Sequence, residues 1–263
     1  MSYSLAGKVV FVTGASAGIG AAAARGFARE GAKLLLCARR MDKLSAMEKD
    51  LRGLGAKDVH SFELDVRSND QVASAIGSLP DEWKRIEVLV NNAGLSRGLT
   101  KLYLDEIEDW EEMIDTNVKG LLYVTRAVVP GMVERGSGHV INLGSIAGHM
   151  AYPNGGVYCG TKAAERLITD GLRLDLNGTP VRVTTVDPGM VKTDFSKVRF
   201  RGNTERAAKT YENVEPLTAE DVAEVIVWTA TRPPHVQIQT VVLTPVAQAN
   251  PFVLTRGPLS RRE

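Results

Sequence analysis

The sequence contains little cysteine and carries almost no net charge. Its 263 residues include two cysteines, Cys37 and Cys159, which lie far apart and match no metal-ligand spacing. We therefore expect reduced structural thiols rather than a disulfide, and no bound metal. The 32 basic and 31 acidic residues give a formal charge of +1, so the chain has no long-range field that would attract nucleic acid or an anionic membrane.

Long apolar runs are also missing. No stretch approaches the roughly 18 consecutive apolar residues of a membrane span, and the apolar part of the N-terminal segment is too short for a signal peptide. These absences predict a cytoplasmic protein that has no membrane partner and no nucleic-acid partner. Because no linker or internal repeat divides the chain, we expect a single domain over residues 1–263.

Short β-branched runs alternate with longer amphipathic segments along the chain. The strand candidates are KVVFVTG, AKLLLCAR, KDVHSFELD, IEVLVNNAG, GHVINLGS, VRVTTVDPG and IQTVVLTP. The helix-length segments span 18–30, 41–54, 68–79, 106–134 (expected as two helices), 156–177 and 218–231. Near-continuous apolar strands are typical of a parallel sheet that is covered on both faces. The alternation predicts an α/β fold, a doubly wound Rossmann-type domain with a mainly parallel sheet of about seven strands and helices on both faces.

A glycine-rich turn follows the first strand candidate. Gly14, Gly18 and Gly20 bracket the passage into an alanine-rich helix. Without side chains the backbone can approach a diphosphate, whose charge is stabilised by free N–H groups and by the positive end of the helix. The alternative is a glycine turn before an ordinary packing helix, but its position after the first strand of an alternating fold favours dinucleotide binding.

The end of the second strand candidate bears on which dinucleotide binds. Sites for NAD commonly end this strand with an acid that accepts hydrogen bonds from the ribose 2′-hydroxyl. Arg39 and Arg40 occupy that place here, and two guanidinium groups suit a 2′-phosphate. The alternative is that both arginines only solvate the start of the next helix. The pattern favours NADP as the cofactor.

The segment GVYCGTKAA places Tyr158 and Lys162 on one face of a predicted helix, four residues apart. A free tyrosine has a pKa of about 10, and a neighbouring ammonium stabilises the phenolate form. Tyr158 is therefore a candidate general acid or base. The spacing alone is common on solvated helices, but Ser145 ends the preceding strand candidate, at the edge where such sheets bind ligands. Its hydroxyl can bind a substrate carbonyl oxygen, or it can simply cap a turn.

Together these residues resemble the short-chain dehydrogenase/reductase superfamily. The matching features, which span nearly the whole chain in order, are TGASAGIG, LDV at 64–66, NNAG at 91–94, Asn117, Ser145, Tyr158 with Lys162, and DPGMVKT at 187–193. The resemblance implies that Tyr158 exchanges the proton, that Lys162 binds the nicotinamide ribose and assists the tyrosine, that Ser145 polarises the substrate, and that Asn117 holds a water of a proton relay. The expected cofactor contacts are Gly14, Ser16, Ala17, Gly18, Ile19, Gly20, Arg39, Arg40, Asp65, Val66, Asn92, Ala93, Gly94, Tyr158, Lys162, Pro188, Gly189, Val191 and Thr193.

Longer segments, among them LPDEWKRIEVLVNNAG and DFSKVRFRGNTERA, are similar to a narrower group, the NADP-dependent 3-hydroxy acid dehydrogenases or serine 3-dehydrogenases, also called L-allo-threonine dehydrogenases. This resemblance implies oxidation of the β-hydroxyl of small acids such as serine, allo-threonine and 3-hydroxypropionate. It also implies reduction of malonic semialdehyde in the reverse direction, and a homotetramer. The alternatives are a broad-specificity NADPH-dependent carbonyl reductase for ketones, diketones or β-keto esters, and a non-catalytic NADP-binding regulatory protein.

A substrate of that group carries a carboxylate close to the reacting carbon, which calls for a cation in the pocket. Arg199 and Arg201 follow the nicotinamide loop, and they point to the same side if the segment is extended. We expect Arg199 to bind the carboxylate beside Ser145 and Tyr158, with 190–215 as a substrate lid. The alternative is a surface arginine. Arg97, near the pocket mouth, is a third cation that binds a carboxylate, reaches solvent or changes the preferred substrate.

Three features have less certain roles. Gly160, between Tyr158 and Lys162, costs a helix about 1 kcal/mol, which suggests close backbone packing at that position; the alternative is sequence drift. Asp187, beside the nicotinamide loop, has no role that the sequence assigns. The segment 245–263, with its prolines and basic end, is expected to be a C-terminal arm that is loose or lies over a neighbouring subunit.

Overall fold

The strands form one seven-stranded sheet in which every neighbouring pair is parallel. The structure is a computed structural model that describes residues 3–259. The strands are β1 (Val9–Thr13), β2 (Lys33–Ala38), β3 (Asp58–Glu63), β4 (Ile86–Asn91), β5 (Gly138–Leu143), β6 (Val181–Pro188) and β7 (Thr240–Leu243). Their order is β3-β2-β1-β4-β5-β6-β7. The order reverses between β1 and β4, which is where such sheets open a ligand crevice at the carboxyl ends of the strands.

Helices cover both faces of the sheet, as the doubly wound prediction requires. They are α1 (Gly18–Arg29), α2 (Met41–Gly53), α3 (Asn69–Gly77), α4 (Asp81–Lys84), α5 (Ile107–Ile114), α6 (Leu121–Arg135), α7 (Gly156–Asp175), α8 (Phe195–Arg199), α9 (Thr204–Thr210) and α10 (Ala219–Ala230). One apolar cluster joins α1, α2 and α10 to the sheet, and a second joins α3, α6 and α7 to its other face. The predicted fold class is confirmed.

The apolar pattern explains the positions of the main elements. All five residues of β1 are buried, as expected for a strand covered on both sides. Helix α1 packs closely on α10, and a Cβ on Gly26 would lie 2.8 Å from Cγ2 of Val227. Helix α10 begins with a capping box between Thr218 and Asp221, which satisfies N–H groups that would otherwise lack partners.

The segment 106–134 differs from two separate helices. Helices α5 and α6 are continuous through a π-helical turn, Asp115–Gly120. A π turn inserts a residue into the helix and redirects the side chains around it. Asn117 lies in this turn and is buried. The short helices α4, α8 and α9 were not predicted, because runs of four to seven residues carry too few periods to give a clear helical pattern.

Both cysteines are free and buried. Burial raises the pKa of the Cys37 thiol to about 12, so this thiol stays protonated and unreactive at neutral pH. Within residues 3–259, no helix combines the length and apolarity needed to cross a bilayer. In the same range, no group of three or more His, Cys, Asp or Glu side chains is arranged to hold a metal ion.

Candidate active site

A cavity of about 390 Å³ lies at the carboxyl ends of the central strands. The predicted residues that line it are Gly14, Ser16, Ala17, Gly18, Ile19, Arg39, Arg40, Asp65, Val66, Asn92, Ala93, Gly94, Ser145, Tyr158, Lys162, Pro188, Gly189, Val191 and Thr193. Three predicted residues lie outside this lining, namely Gly20, Asn117 and Arg199. The structure thus brings the glycine turn, the twin arginines, the Tyr–Lys pair and the DPGMVKT loop to one cavity.

The glycine turn forms one end of the cavity. Gly14 and Gly18 have φ angles of +64° and +55°, a backbone region that favours glycine. Ala17 precedes helix α1 as its N-cap and offers no capping side chain, so the first N–H groups of the helix are available to an anion. Gly20 serves packing instead: a Cβ there would lie 2.4 Å from Nδ2 of Asn92.

The end of β2 brings positive charge to the cavity. Arg40 donates from Nη2 to Oγ of Ser16 at 3.1 Å, and Arg39 stands beside it with its side chain half exposed. The nearby Asp65 is paired with Arg67, whose Nε lies 2.9 Å from Oδ1. This hydrogen bond holds the pKa of Asp65 below its ordinary value. The carboxylate is therefore ionised and paired with Arg67. Arg39 lies 4.0 Å from Oε1 of Glu112, and Arg39 and Arg40 both line this end of the cavity.

The Tyr–Lys pair lies on the inner face of α7. Tyr158 and Lys162 are buried. The Lys162 ammonium donates to the carbonyl oxygen of Leu143 and to Oε2 of Glu165, each at 2.7 Å. Ser145 begins a 3₁₀ turn, and its Oγ accepts from the N–H of Ala147 at 3.1 Å. Ser145 therefore caps this turn and also lines the cavity, while its hydrogen bond to a substrate oxygen remains a prediction.

Burial and ion pairing shift the pKa values of Lys162 and Glu165 in opposite directions. Burial would lower the pKa of Lys162, but the Glu165 carboxylate and Tyr158 raise it overall. Burial raises the pKa of Glu165 to about 7, against the opposite pull of the ammonium. The lysine is therefore a cation under ordinary conditions, while the acid beside it titrates near neutral pH.

Asn117 ties the loop after β4 to α7. Its Nδ2 donates to the carbonyl oxygen of Leu95 at 2.8 Å and to Oγ1 of Thr161 at 3.0 Å, and its Oδ1 accepts from the N–H of Leu95 at 2.8 Å. The side chain thus fixes two cavity walls relative to each other. The role in a water relay, which the family resemblance implies for Asn117, remains a prediction.

The three candidate cations have different partners. The segment around Arg199 is helical, not extended, so the expected alternation is wrong: α8 ends at Arg199, and Arg201 turns away with a φ of +49°. Arg201 pairs with Asp109, and Arg97 pairs with Glu112 at 2.6 Å.

Arg199 instead bonds neutral hydroxyls. Its Nε donates to Oγ of Ser96 at 3.1 Å, and its Nη2 donates to the hydroxyl of Tyr152 at 3.2 Å. Its guanidinium carbon lies 5.4 Å from the centroid of the Tyr158 ring and 5.2 Å from that of Phe195. Within residues 3–259, no carboxylate oxygen lies within 4.0 Å of this guanidinium. No carboxylate of the described residues therefore neutralises its charge, although the side chain lies outside the lining of the cavity.

The structure shows the surroundings of Asp187 and Gly160, two residues to which the sequence assigned no firm role. Asp187 is buried, and its Oδ2 lies 2.5 Å from Nε2 of His149 while its Oδ1 accepts from Oγ1 of Thr185 at 2.5 Å. It packs behind Gly144, where a Cβ would lie 1.9 Å from Oδ1. Gly160 is exposed, and a Cβ there meets no atom within 4 Å. The expected close packing at Gly160 is wrong.

The described part of the C-terminal segment contacts segment 190–215 of the same chain. The side chain of Gln248 accepts from the N–H of Met190 at 2.7 Å, and Gly257 donates to the carbonyl oxygen of Asn213 at 2.7 Å. Residues 245–259 are thus attached to this chain. The last part of the predicted basic end, 260–263, lies outside the described residues.

The sequence prediction missed three important side chains. Tyr152 holds Arg199, Phe195 packs edge-on to Tyr158 with centroids 5.8 Å apart, and Glu165 holds Lys162. Glu165 had a usable signal, since an acid three residues after a lysine shares its helix face. Tyr152 and Phe195 had none, because Tyr152 lies in a loop and Phe195 begins the short helix α8, and the positions of both depend on tertiary packing.

Comparison with known proteins shows which family and which enzymes this chain is similar to. A family model described as short chain dehydrogenase matches residues 8–204. An NADP-dependent 3-hydroxy acid dehydrogenase from Salmonella typhi is 50% identical over 242 residues, which is 92% of this chain and 96% of that protein. A serine 3-dehydrogenase from Agrobacterium fabrum is 40% identical over 240 residues, 91% of this chain and 94% of that protein. A solved closed form of serine dehydrogenase complexed with NADP+ has a TM-score of 0.89 at 45% identity, covering 97% of this chain and 100% of that chain.

Proposed function

Because this chain belongs to the short-chain dehydrogenase family, we propose that it is an NADP-dependent dehydrogenase of small 3-hydroxy acids. Serine, allo-threonine and 3-hydroxypropionate are the substrates we expect, with malonic semialdehyde reduced in the reverse direction. The observation that carries this proposal is the guanidinium of Arg199, which lies over the Tyr158 ring and has no carboxylate partner in the described range 3–259. The names of the relatives from Salmonella typhi and Agrobacterium fabrum support the same substrate class.

The residues of the cavity fit NADP. The glycine turn and the uncapped start of α1 suit the diphosphate. Arg39 and Arg40 suit a 2′-phosphate, since no acid stands at the end of β2 to accept from a free hydroxyl. Lys162 suits the nicotinamide ribose, and the loop from Pro188 to Thr193 suits the carboxamide. When bound, the cofactor supplies or accepts the hydride.

The side chains of the protein transfer the proton and orient the substrate. Tyr158 takes the proton from the substrate hydroxyl during oxidation and returns it during reduction. Lys162 stabilises the phenolate form, because its ammonium is a fixed cation held by Leu143 and Glu165. Ser145 donates to the substrate oxygen, which stabilises the negative charge that develops there. Asn117 is proposed to hold the water through which the proton reaches solvent.

Arg199 gives this site its preference for acids. A guanidinium binds a carboxylate with two parallel hydrogen bonds, which would fix the substrate relative to Tyr158. Ser96 and Tyr152 hold the side chain in place without neutralising it. Arg97 and Arg201 are less suited to bind a substrate carboxylate, because each already forms an ion pair, with Glu112 and Asp109 respectively.

A substrate panel tests the proposal. Initial rates with NADP+ are measured for serine, allo-threonine and 3-hydroxypropionate, and for matched alcohols that lack the carboxylate. We expect kcat/KM to be higher for the acids by a factor of roughly 10–100, the size of one charge-assisted contact. Equal values for both sets would favour the broad carbonyl reductase, and absence of NADP+ reduction across the panel would favour a regulatory protein.

We also propose that residues 190–215 act as a substrate lid and that the enzyme is a cytoplasmic homotetramer. Val191, Phe195 and Val198 of the lid line the cavity. Exposed apolar side chains on α7, Leu167 at 62% and Leu174 at 76%, are suited to contacts between subunits. Size-exclusion chromatography with light scattering tests the assembly; a monomeric mass would overturn it.

A further inference from the structure

An acidic side chain lies buried directly behind the proposed catalytic pair. Glu165 is 2% exposed, and it follows Lys162 by one turn of α7. Its Oε2 accepts from the Lys162 ammonium at 2.7 Å, whereas its Oε1 is buried with no hydrogen-bond partner among the described residues. A buried carboxylate with one unsatisfied oxygen is costly. Packing alone gives no reason for a charged group here, since an apolar side chain would fill the position without this penalty.

Among the groups that surround Glu165, Lys162 is the one with which it forms an ion pair. On α7, Lys162 is its ion-pair partner and Tyr158 lies one further turn away. From β6, Asp187 is the second charge that acts on it, and His149 pairs with Asp187 from the turn after β5. The π-helical turn that packs on α7 presents the neutral side chain of Asn117. Glu165 is therefore paired with Lys162, the same cation that is proposed to stabilise the phenolate form of Tyr158.

We propose that Glu165 is a positioning residue of the active site: its carboxylate fixes the Lys162 ammonium, and its negative charge sets how much of the lysine's positive charge acts on the Tyr158 hydroxyl. The inference rests on the proposed roles of Tyr158 and Lys162. When Glu165 is ionised, it offsets part of the field that favours the phenolate. When it is neutral, the whole ammonium charge acts on the tyrosine.

The sign of the effect follows from these charges. Replacing Glu165 with glutamine removes the negative charge, while Lys162 keeps its hydrogen bond to the Leu143 carbonyl and its attraction to Asp187, so we expect it to stay protonated. The phenolate form of Tyr158 then becomes easier to reach, so the tyrosine ionises at lower pH. At the separations along one helix face, a shift of about one pH unit is expected. A glutamate that only filled space would leave the ionisation unchanged when its near-isosteric amide replaced it.

Tyrosinate absorbance of the full-length protein without cofactor provides the main readout. The pH titration of Glu165→Gln is compared with that of the same variant carrying Tyr158→Phe, so that the difference reports Tyr158 alone. We expect the midpoint to fall by about one pH unit relative to the natural protein. Glu165→Asp keeps the carboxylate and should return the midpoint toward its original value. Glu165→Leu is the second neutral variant, should the amide prevent folding.

The pH profile of kcat/KM for oxidation gives a parallel readout, whose acid limb should move to lower pH in both neutral variants. Glu87→Gln is the matched control, because Glu87 also accepts hydrogen bonds, from Tyr3 and Ser137, but outside the cavity. No shift in the neutral variants, or a shift equal to that of the control, overturns the inference. Retained activity in Tyr158→Phe would instead overturn the proposed function, so the two failures are distinct.

Discussion

The guanidinium of Arg199 lies over the ring of Tyr158, 5.4 Å from its centroid. This contact joins the last residue of α8 to the first turn of α7, the helix that carries the tyrosine. Among residues 3–259 this cation has no carboxylate partner, and it lies beside the ring of the proposed proton-exchanging tyrosine. A substrate bound between the two side chains would have its acid group and its β-carbon positioned by different residues.

The first prediction concerns the tyrosine itself. Tyr158→Phe removes the hydroxyl and keeps the ring, so kcat should fall by a factor of about 10²–10⁴, the usual contribution of a general acid or base. Binding of NADPH, followed by fluorescence, should change little. Tyr3→Phe removes a hydroxyl bonded to Glu87 outside the cavity and should leave kcat unchanged. A Tyr158→Phe enzyme with near-normal kcat would refute this role.

The second prediction concerns cofactor choice. Arg39→Ala and Arg40→Ala should each weaken NADPH binding by roughly 10–100-fold, because a hydrogen bond to a charged group contributes about 1.5–3 kcal/mol. Binding of NADH should change much less, since NADH lacks the 2′-phosphate. Arg52→Ala serves as control, because this exposed arginine of α2 pairs with Asp58 instead. An equal loss for both dinucleotides would argue against recognition of the phosphate.

Two glycines near the site should respond in opposite ways to alanine. Gly160→Ala should raise the free energy of unfolding by about 0.5–1 kcal/mol, because the position is helical, exposed and open. Gly144→Ala should lower it by about 1–3 kcal/mol, because the new Cβ would meet Oδ1 of Asp187. Urea denaturation of both variants measures this pair. Destabilisation by Gly160→Ala would show that the helix is more crowded there than the structure indicates.

His139 should make the protein sensitive to acid. Burial holds the pKa of His139 well below its ordinary value, so the folded state keeps this histidine neutral while the unfolded state can bind a proton. Its contribution to stability is therefore complete above pH of about 6.5 and is lost as pH falls toward the folded pKa, by up to about 1.4 kcal/mol per pH unit. His139→Gln should reduce the loss measured by denaturation between neutral and acid pH.

His235 provides the matching control for that experiment, because it is exposed. His235→Gln should retain the pH dependence of the natural protein. If His139→Gln and His235→Gln behaved alike, the buried histidine would not be the acid-sensitive group.

The sequence predicted most of the fold because its signals are local and repeated. Apolar runs such as β1 and glycines such as Gly14 impose their structure through nearest neighbours, and the family resemblance is confirmed by the comparisons. Arg199 was named from its position, but the alternation expected for its segment failed because α8 is helical. The sequence could not distinguish it from Arg97, since only the folded chain brings Glu112 to one arginine and neutral hydroxyls to the other.

The central claim is that Arg199 recognises the carboxylate of a 3-hydroxy acid, and one kinetic comparison tests it most directly. The kcat/KM values of Arg199→Ala and of the natural enzyme are measured with NADP+ for a 3-hydroxy acid and for its neutral alcohol analogue, with Arg201→Ala as control. The account predicts that Arg199→Ala loses roughly 10–100-fold with the acid, mostly through KM, and little with the alcohol, while Arg201→Ala keeps the preference for the acid. Equal losses of Arg199→Ala with both substrates would contradict it.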